Sequence, residues 1–405
     1  MSEQTHLKRS LSLPMLVLYG LGTTVGAGIY ALIGELAALS AFLAPLAFLL
    51  AALMASLIAM SFAELSGRFP RAAGAALYVQ EGFNSTSFAT ITGLAVVLAG
   101  VVSAAALLNG FVGYFHQFLD YDRVYVIIIA AVVLSIIAAW GIAESVTVAG
   151  IITVVEIGGL LLVVFVSRDA LGTLPAEWDK LVPSMSLADG KAVLAGALLA
   201  FYAFIGFEDM VDVAEEVKDV RRTLPLAIIV TLFVTTILYL LVMTTAVLGL
   251  PMEELVQSKA PLATLYERSS GEAATLISFI GMFAIINGAL IQIIMASRVL
   301  YGLSSRGQLP AFFSRVNTRT QTPILATLFS TALVLLLALL GRLASLAQAT
   351  SIIMLLVFAF ISLALWCIKR QQSSPTDSVI VPSWVPLLAC LVSLLVVGWK
   401  IFSFV

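Results

Sequence analysis

Gly20-Leu21-Gly22-Thr23-Thr24-Val25-Gly26-Ala27-Gly28-Ile29 and Phe201-Tyr202-Ala203-Phe204-Ile205-Gly206-Phe207-Glu208-Asp209 are the two stretches on which the fold turns. Each lies inside a long apolar run, and each is built to interrupt a helix. The first places four glycines in nine positions, each costing a helix about 1 kcal/mol against alanine. The second sets a glycine and two acids in a layer that is otherwise aliphatic and aromatic.

The runs around them require a membrane. Of 405 residues, 61% are hydrophobic and 11% charged, with mean hydropathy +1.09, whereas soluble domains run at about 45–50% apolar and about 25% charged. A spanning helix needs about 20 apolar residues. Eleven such runs are read: Leu13–Leu39, Leu43–Glu64, Thr86–Phe115, Val124–Gly141, Val146–Val166, Ala192–Val213, Pro225–Gly249, Ala273–Leu300, Pro323–Leu340, Leu346–Ile368 and Trp384–Phe404. Period-2 alternation of the barrel type is absent, so an all-α integral membrane fold is expected. The first run lacks a small-residue cleavage site and continues into a full span, so it is expected to be retained rather than removed as a signal peptide.

With the N-terminus inside, 13 of the 21 Lys and Arg collect at cytoplasmic ends, including Lys8, Arg9, Arg68, Arg71, Arg298 and Lys369. That bias orients the chain with a cytoplasmic N-terminus. The net charge of -2 gives no basic face for nucleic acid. Cys367 and Cys390 read as core thiols and His6 and His116 as ordinary histidines, so no cofactor or metal centre is expected. No nucleophile-base constellation is present, so the chain does not read as an enzyme.

The two interrupted runs open two sets of five spans, and such paired breaks are the sequence pointer to a transporter's midplane site. Where a helix breaks at Gly26 to Gly28, the amides of the next half-helix lose their intrahelical partners and suit a carboxylate. A break at Ile205-Gly206 frees carbonyls that suit an ammonium group. Together they describe an α-amino acid. The competing reading is that these glycines only let helices approach, as small residues do in membranes; for Gly20 and Gly22 the two stand level.

At these residues the sequence resembles the amino acid-polyamine-organocation family of transporters, and within it the bacterial cationic-amino-acid-transporter-like permeases. The resemblance runs from about Leu7 to Ile368. Its blocks are Gly26-Ala27-Gly28-Ile29-Tyr30, then Ala63-Glu64-Leu65 with Phe69 to Tyr78, then Gly206-Phe207-Glu208 with Glu215 to Pro225, then Ser297 to Gly302 running to Pro310. It implies a leucine-transporter-like 5+5 inverted-repeat bundle with broken helices 1 and 6 and alternating access. Residues 1–12 would form the cytoplasmic N-terminus, 13–166 the first repeat, 167–190 an extracellular connection, 191–368 the second repeat, and 369–405 a loop and additional helix 11. The substrate carboxylate would rest near Thr24, Gly26, Ala27 and Gly28, and its ammonium near Tyr202, Ala203 and Ile205. Tyr202 matches a position where family arginine antiporters stack a ring on the substrate, and Glu208 an acidic position beyond the break. Ala27 departs from the Ser or Thr frequent there, and Ala289 stands where some members place a Trp against the pocket. The short tails resemble prokaryotic members, implying a bacterial inner membrane.

Acids in the membrane are costly and functional by default. Glu156 lies mid-span, where related proton-coupled permeases carry a Lys. Here it is expected to take up and release a proton, with desolvation favouring its neutral form and Asn287 as hydrogen-bond partner. A permanently protonated structural Glu and a sodium-binding carboxylate are the other two readings. Glu208 divides between proton gate and structural network. Glu64 with Arg68, and Glu215 or Glu216 with Arg221 or Arg222, read either as latches of an inner gate or as solvated charge. The expected function is secondary active amino-acid transport, proton-coupled, with a lipid bilayer and a small amino acid or amine as partners. Its rivals are an amine, polyamine or amino-acid exchanger or exporter, and a non-transporting membrane sensor or subunit.

Overall fold

A computed structural model describes residues 11–70, 74–140, 146–184, 186–371 and 379–403. His6, Lys8 and Arg9, the Arg71-Ala72-Ala73 part of the loop block, Gly141 and the final Phe404 lie outside these.

The helices are α1 Leu13–Val25, α2 Ala27–Ser40, α3 Ala44–Arg68, α4 Gly74–Phe83, α5 Thr86–Phe115, α6 Arg123–Trp140, α7 Val146–Val166, α8 Arg168–Gly172, α9 Leu174–Leu181, α10 Leu187–Phe201, α11 Val220–Gly249, α12 Met252–Gln257, α13 Pro261–Ser270, α14 Thr275–Ser305, α15 Ile324–Leu340, α16 Leu343–Gln371 and α17 Trp384–Phe402. Tight 3₁₀ turns at Tyr202–Phe204 and Phe207–Glu216 follow α10. The fold is therefore an all-α membrane bundle, and all eleven apolar runs coincide with helices. Eight described helices are long and apolar enough to cross a bilayer, and Leu13–Val25, Gly150–Val166 and Ile324–Leu340 are shorter apolar ones. Among the described residues the one pairing of β type is a parallel bridge between Leu11 and Val217. The sequence reading missed α8 and α9 in the connection and the α12–α13 hairpin, because each is too short to register as an apolar run.

Burial follows bilayer physics. Large side chains such as Ile129, Ile136 and Phe233 face outward, as they do where the surrounding medium is lipid. Some hydroxyls in helix interiors turn back onto their own chain: Thr92 donates to the Phe88 carbonyl at 2.8 Å and Thr236 to that of Leu232 at 2.7 Å. The glycines of α5 seat its neighbours. A Cβ on Gly100 would meet Met295 Cε at 2.7 Å, and one on Gly110 would meet Ala31 at 2.9 Å, so α14 and α2 lie almost against the α5 backbone.

Call the end where α1 begins the lower face. At the upper face Arg123 donates to Asn109 Oδ1 at 2.6 Å and to the Ala338 and Gly341 carbonyls at 2.7 and 3.0 Å. A cation thus caps the C-terminal end of α15 and ties it to α5 and α6. The α12–α13 hairpin also sits on that face, and a Cβ on Gly34 would meet the Leu255 carbonyl at 3.0 Å. His116 hydrogen-bonds the Tyr121 carbonyl there at 2.8 Å. Cys367 and Cys390 are free thiols.

Candidate functional site

The chain leaves the helix at Gly26 (φ -49°, ψ -118°), which separates α1 from α2. The N-cap of α2 is Gly26, which has no side chain to satisfy the first-turn amides, so those amides need partners from elsewhere. The other break passes through Ile205 in extended conformation to Gly206 at φ +127°, a value that favours glycine. A Cβ on Gly206 would also fall on the Thr23 carbonyl oxygen.

The two breaks touch. Thr23 Oγ1 donates to the Gly206 carbonyl at 2.9 Å. A Cβ on Gly28 would lie 2.9 Å from Ala203 Cα, so Gly28 serves the close approach of the breaks as well as access to its amide. The buried Tyr239 hydroxyl of α11 shares its proton between the Thr24 and Ala203 carbonyls, at 2.7 and 2.8 Å. Its ring packs on Phe48 and Phe204 with centroids 5.3 and 5.2 Å apart. Further down, Leu11 N–H donates to the Glu216 carbonyl and Lys218 N–H to that of Leu11, both at 3.0 Å. Both broken segments are therefore joined at the centre and at the lower face.

A central cavity of about 50 Å³ lies between them. Of the residues expected from sequence, Thr24, Gly26, Gly28, Tyr202, Ala203, Ile205, Glu156 and Asn287 line it. Ala27 contributes the first residue of α2. Glu208 does not line this cavity. It faces a second, lower one, and its Oε2 accepts the Gly206 amide at 2.8 Å, closing the break from within the chain. Ala289 is also displaced from the expected wall: it is fully buried in the protein, and Asn287, Gly288 and Ile291 of α14 face the cavity in its place. A turn of about 100° per residue separates it from that face.

Asp209, one of the two acids of the second break, also lines the cavity, as do Ser103, Leu107 and Gln292, which were not singled out from sequence. Ser103 is an isolated hydroxyl in the apolar α5, and it hydrogen-bonds the Tyr202 hydroxyl at 2.9 Å. The signal for Gln292 was its being an amide within a 31-residue apolar helix. Glu156 is almost fully buried at 3% exposure, and its Oε2 lies 3.6 Å from where a Gly26 Cβ would be. Tyr30 of α2 donates to the Glu156 backbone carbonyl at 2.7 Å, and Tyr114 to the Tyr30 carbonyl at 3.0 Å. Asn287 shares the cavity with Glu156, but its amide makes no side-chain hydrogen bond among the described residues. Gly20 and Gly22 are close-approach positions, where Cβ atoms would strike Met210 and Thr153, and Gly22 also lines both this cavity and the one below it.

Below the central cavity lies a vestibule of about 670 Å³. Asp209, Asp212 and Glu216 of the Phe207–Glu216 segment line it together with Arg298 of α14 and Arg306 just beyond that helix. Glu64 is neither a loop charge nor solvated. It is wholly buried, bound by Arg68 at 2.7 Å, Lys369 at 2.7 Å and the Val381 amide at 2.9 Å. The cluster fastens α3 to α16 and to the segment leading into α17.

The amino acid permease family profile matches residues 11–405. Cationic amino acid transporter 4, vacuolar, of Arabidopsis thaliana is 29% identical over 396 residues, 92% of this chain and 65% of the relative. Branched-chain amino acid permease BcaP of Bacillus subtilis (strain 168) is 27% identical over 426 residues, covering 98% of this chain and 90% of the relative. The methylthioribose transporter of the same organism is 26% identical over 430 residues, covering 99% and 90%. The chain spans 65% of the length of the plant relative and 62% of a Mus musculus one.

Proposed function

The chain belongs to the amino acid permease family, and on that premise we propose that it is a secondary active amino-acid transporter that couples movement to protons by alternating access. The family is one of transporters and permeases, so the cavity binds cargo rather than performing a reaction. One observation carries the proposal: two broken segments from different parts of the chain meet at a single cavity that also holds a buried carboxyl, Glu156.

In this reading the substrate carboxylate lies on the α2 amides at Gly26 to Gly28, where the half-helix dipole is positive. The ammonium lies against the backbone of Tyr202 to Ile205, with the Tyr202 ring over the substrate. Glu156 stands beside Gly26 and carries the proton, charged when water reaches it and neutral when the cavity is sealed. The five-plus-five inverted repeat, with the lower face as the cytoplasmic one, is part of the same proposal. The ties between the broken segments make them one moving body with α3 and α11. The vestibule opens between that body and α5 with α14. Residues Phe207–Glu216 form the inner arm of the sixth span, and Glu208 stabilises its first turn rather than touching substrate.

The test is uptake of labelled amino acids into proteoliposomes with and without an inward proton gradient, comparing the wild type with Glu156→Gln. Gradient-driven uptake by the wild type, with exchange but no gradient response in the variant, is the expected result. Equal, gradient-independent exchange by both would remove Glu156 from coupling. No uptake of any amino acid would remove the transport reading and leave a membrane sensor or subunit.

A further inference from the structure

The central cavity has a blind end and a neck. Gly26, Gly28, Leu107, Ala203 and Ala284 line only the central cavity, whereas Ser103, Glu156, Asp209, Asn287 and Gln292 line both it and the vestibule. The cavity's 50 Å³ holds roughly four waters at about 10–15 Å³ each. That accommodates an amino acid's backbone and the start of its side chain. With the carboxylate on the α2 amides at the blind end, anything longer must leave through the neck.

The chemistry of the neck is one-signed. Among the described residues no Lys, Arg or His lines the central cavity. Asp209 of the inner arm of the sixth span and Gln292 of α14 both line this neck. The Asp209 backbone amide donates to the Gly206 carbonyl at 3.2 Å, which fixes its position at the break, while its carboxylate has no hydrogen bond or ion pair among the described residues. Gln292 is held with its Oε1 against α5, 3.1 Å from where a Gly100 Cβ would lie. Its side chain likewise has no hydrogen-bond partner there. Arg298 lines the vestibule but not the central cavity and makes no ion pair among the described residues, so it leaves Asp209 uncompensated. An aliphatic side chain in the neck would cover both polar groups without bonding either, which is unfavourable. A terminal cation at the end of a four- or five-bond chain would satisfy the carboxylate and the Gln292 carbonyl together.

We infer that Asp209 and Gln292 form a side-chain subsite for a cationic amino acid, with Asp209 as its specificity determinant. This rests on the transporter reading above and on the carboxylate lying at Gly26 to Gly28. Lysine and norleucine, its counterpart without the terminal ammonium, separate the contributions.

The experiment is equilibrium binding of labelled lysine to the purified full chain, competed by lysine or norleucine, for the wild type, Asp209→Asn and Gln292→Leu. A charge-assisted hydrogen bond in the neck gives the wild type a lysine preference of about tenfold or more. Asp209→Asn is expected to bring that ratio to within about threefold, and Gln292→Leu to lower it less. Thermal unfolding of each variant reports folding, and Asp209→Glu, which keeps the charge, is expected to retain a lysine preference. Norleucine binding as tightly as lysine in the wild type, or a ratio unmoved by Asp209→Asn in a folded variant, overturns the inference while leaving amino-acid transport intact. Failure of both ligands, and of a wider amino-acid panel, overturns the transporter reading and this subsite with it.

Discussion

Replacing Tyr239 by Phe removes one oxygen from the place where the two broken segments meet. The ring stays, so its packing on Phe48 and Phe204 is preserved and no cavity is opened. What disappears is the donor shared by the Thr24 and Ala203 carbonyls. A buried acceptor left without a partner costs about 1–3 kcal/mol. Because one proton serves both carbonyls and the central cavity can supply water, about 1–3 kcal/mol is expected for the pair rather than twice that. At 1.4 kcal/mol per tenfold this is roughly 5- to 150-fold. The energy bears on how the breaks are held relative to one another, so it is expected in substrate exchange. Exchange of labelled amino acid in proteoliposomes, with thermal unfolding of the same preparations, measures both. Tyr30→Phe is the comparator: it removes an equally short bond, 2.7 Å to the Glu156 carbonyl, that does not bridge the breaks. It is expected to lower stability comparably and exchange less. Exchange by Tyr239→Phe within about twofold of wild type, or losses from both variants of equal size, would refute the idea that this hydroxyl fixes the geometry of the site.

Three further outcomes follow from neighbouring features. Gly206→Ala places a side chain on the Thr23 carbonyl at a positive φ, so a loss of about 3 kcal/mol or more is expected as a large fall in unfolding temperature. Glu64→Gln strips the carboxylate from the buried Arg68 and Lys369, with an expected loss of about 3–5 kcal/mol on thermal unfolding in detergent. Asp212 and Arg298 both line the vestibule and form no ion pair among the described residues; if its closure brings them together, Asp212→Arg lowers exchange about fivefold or more and Arg298→Asp in the same chain restores part of it.

What could be read from sequence, and what could not, divides by the range of the interaction. The breaks at Gly26 and Gly206 were legible because helix interruption is local: glycines and acids in an apolar run conflict with their immediate surroundings whatever packs against them. Glu156 was legible for the same reason, as a carboxyl where the medium disfavours one. Glu64 stayed divided between gate latch and solvated charge because its environment comes from Lys369 and Val381, some three hundred positions away. Only the folded chain brings them together. Ala289 was misplaced by helix phase, since the face α14 turns inward is set by α5 glycines such as Gly100 and not by α14 itself. Tyr239 is the extreme case. Nothing in a tyrosine among leucines on α11 indicates that its hydroxyl closes a bridge between Thr24 and Ala203, because both acceptors become available only after two other helices have broken. A local conflict marks where such a chain binds, whereas the groups that hold the conflict in place come from elsewhere and look ordinary in sequence. Positions like Tyr239 and Gln292, whose polar atoms stand at the breaks or the neck, are therefore where substitutions should alter transport most for the least local disturbance.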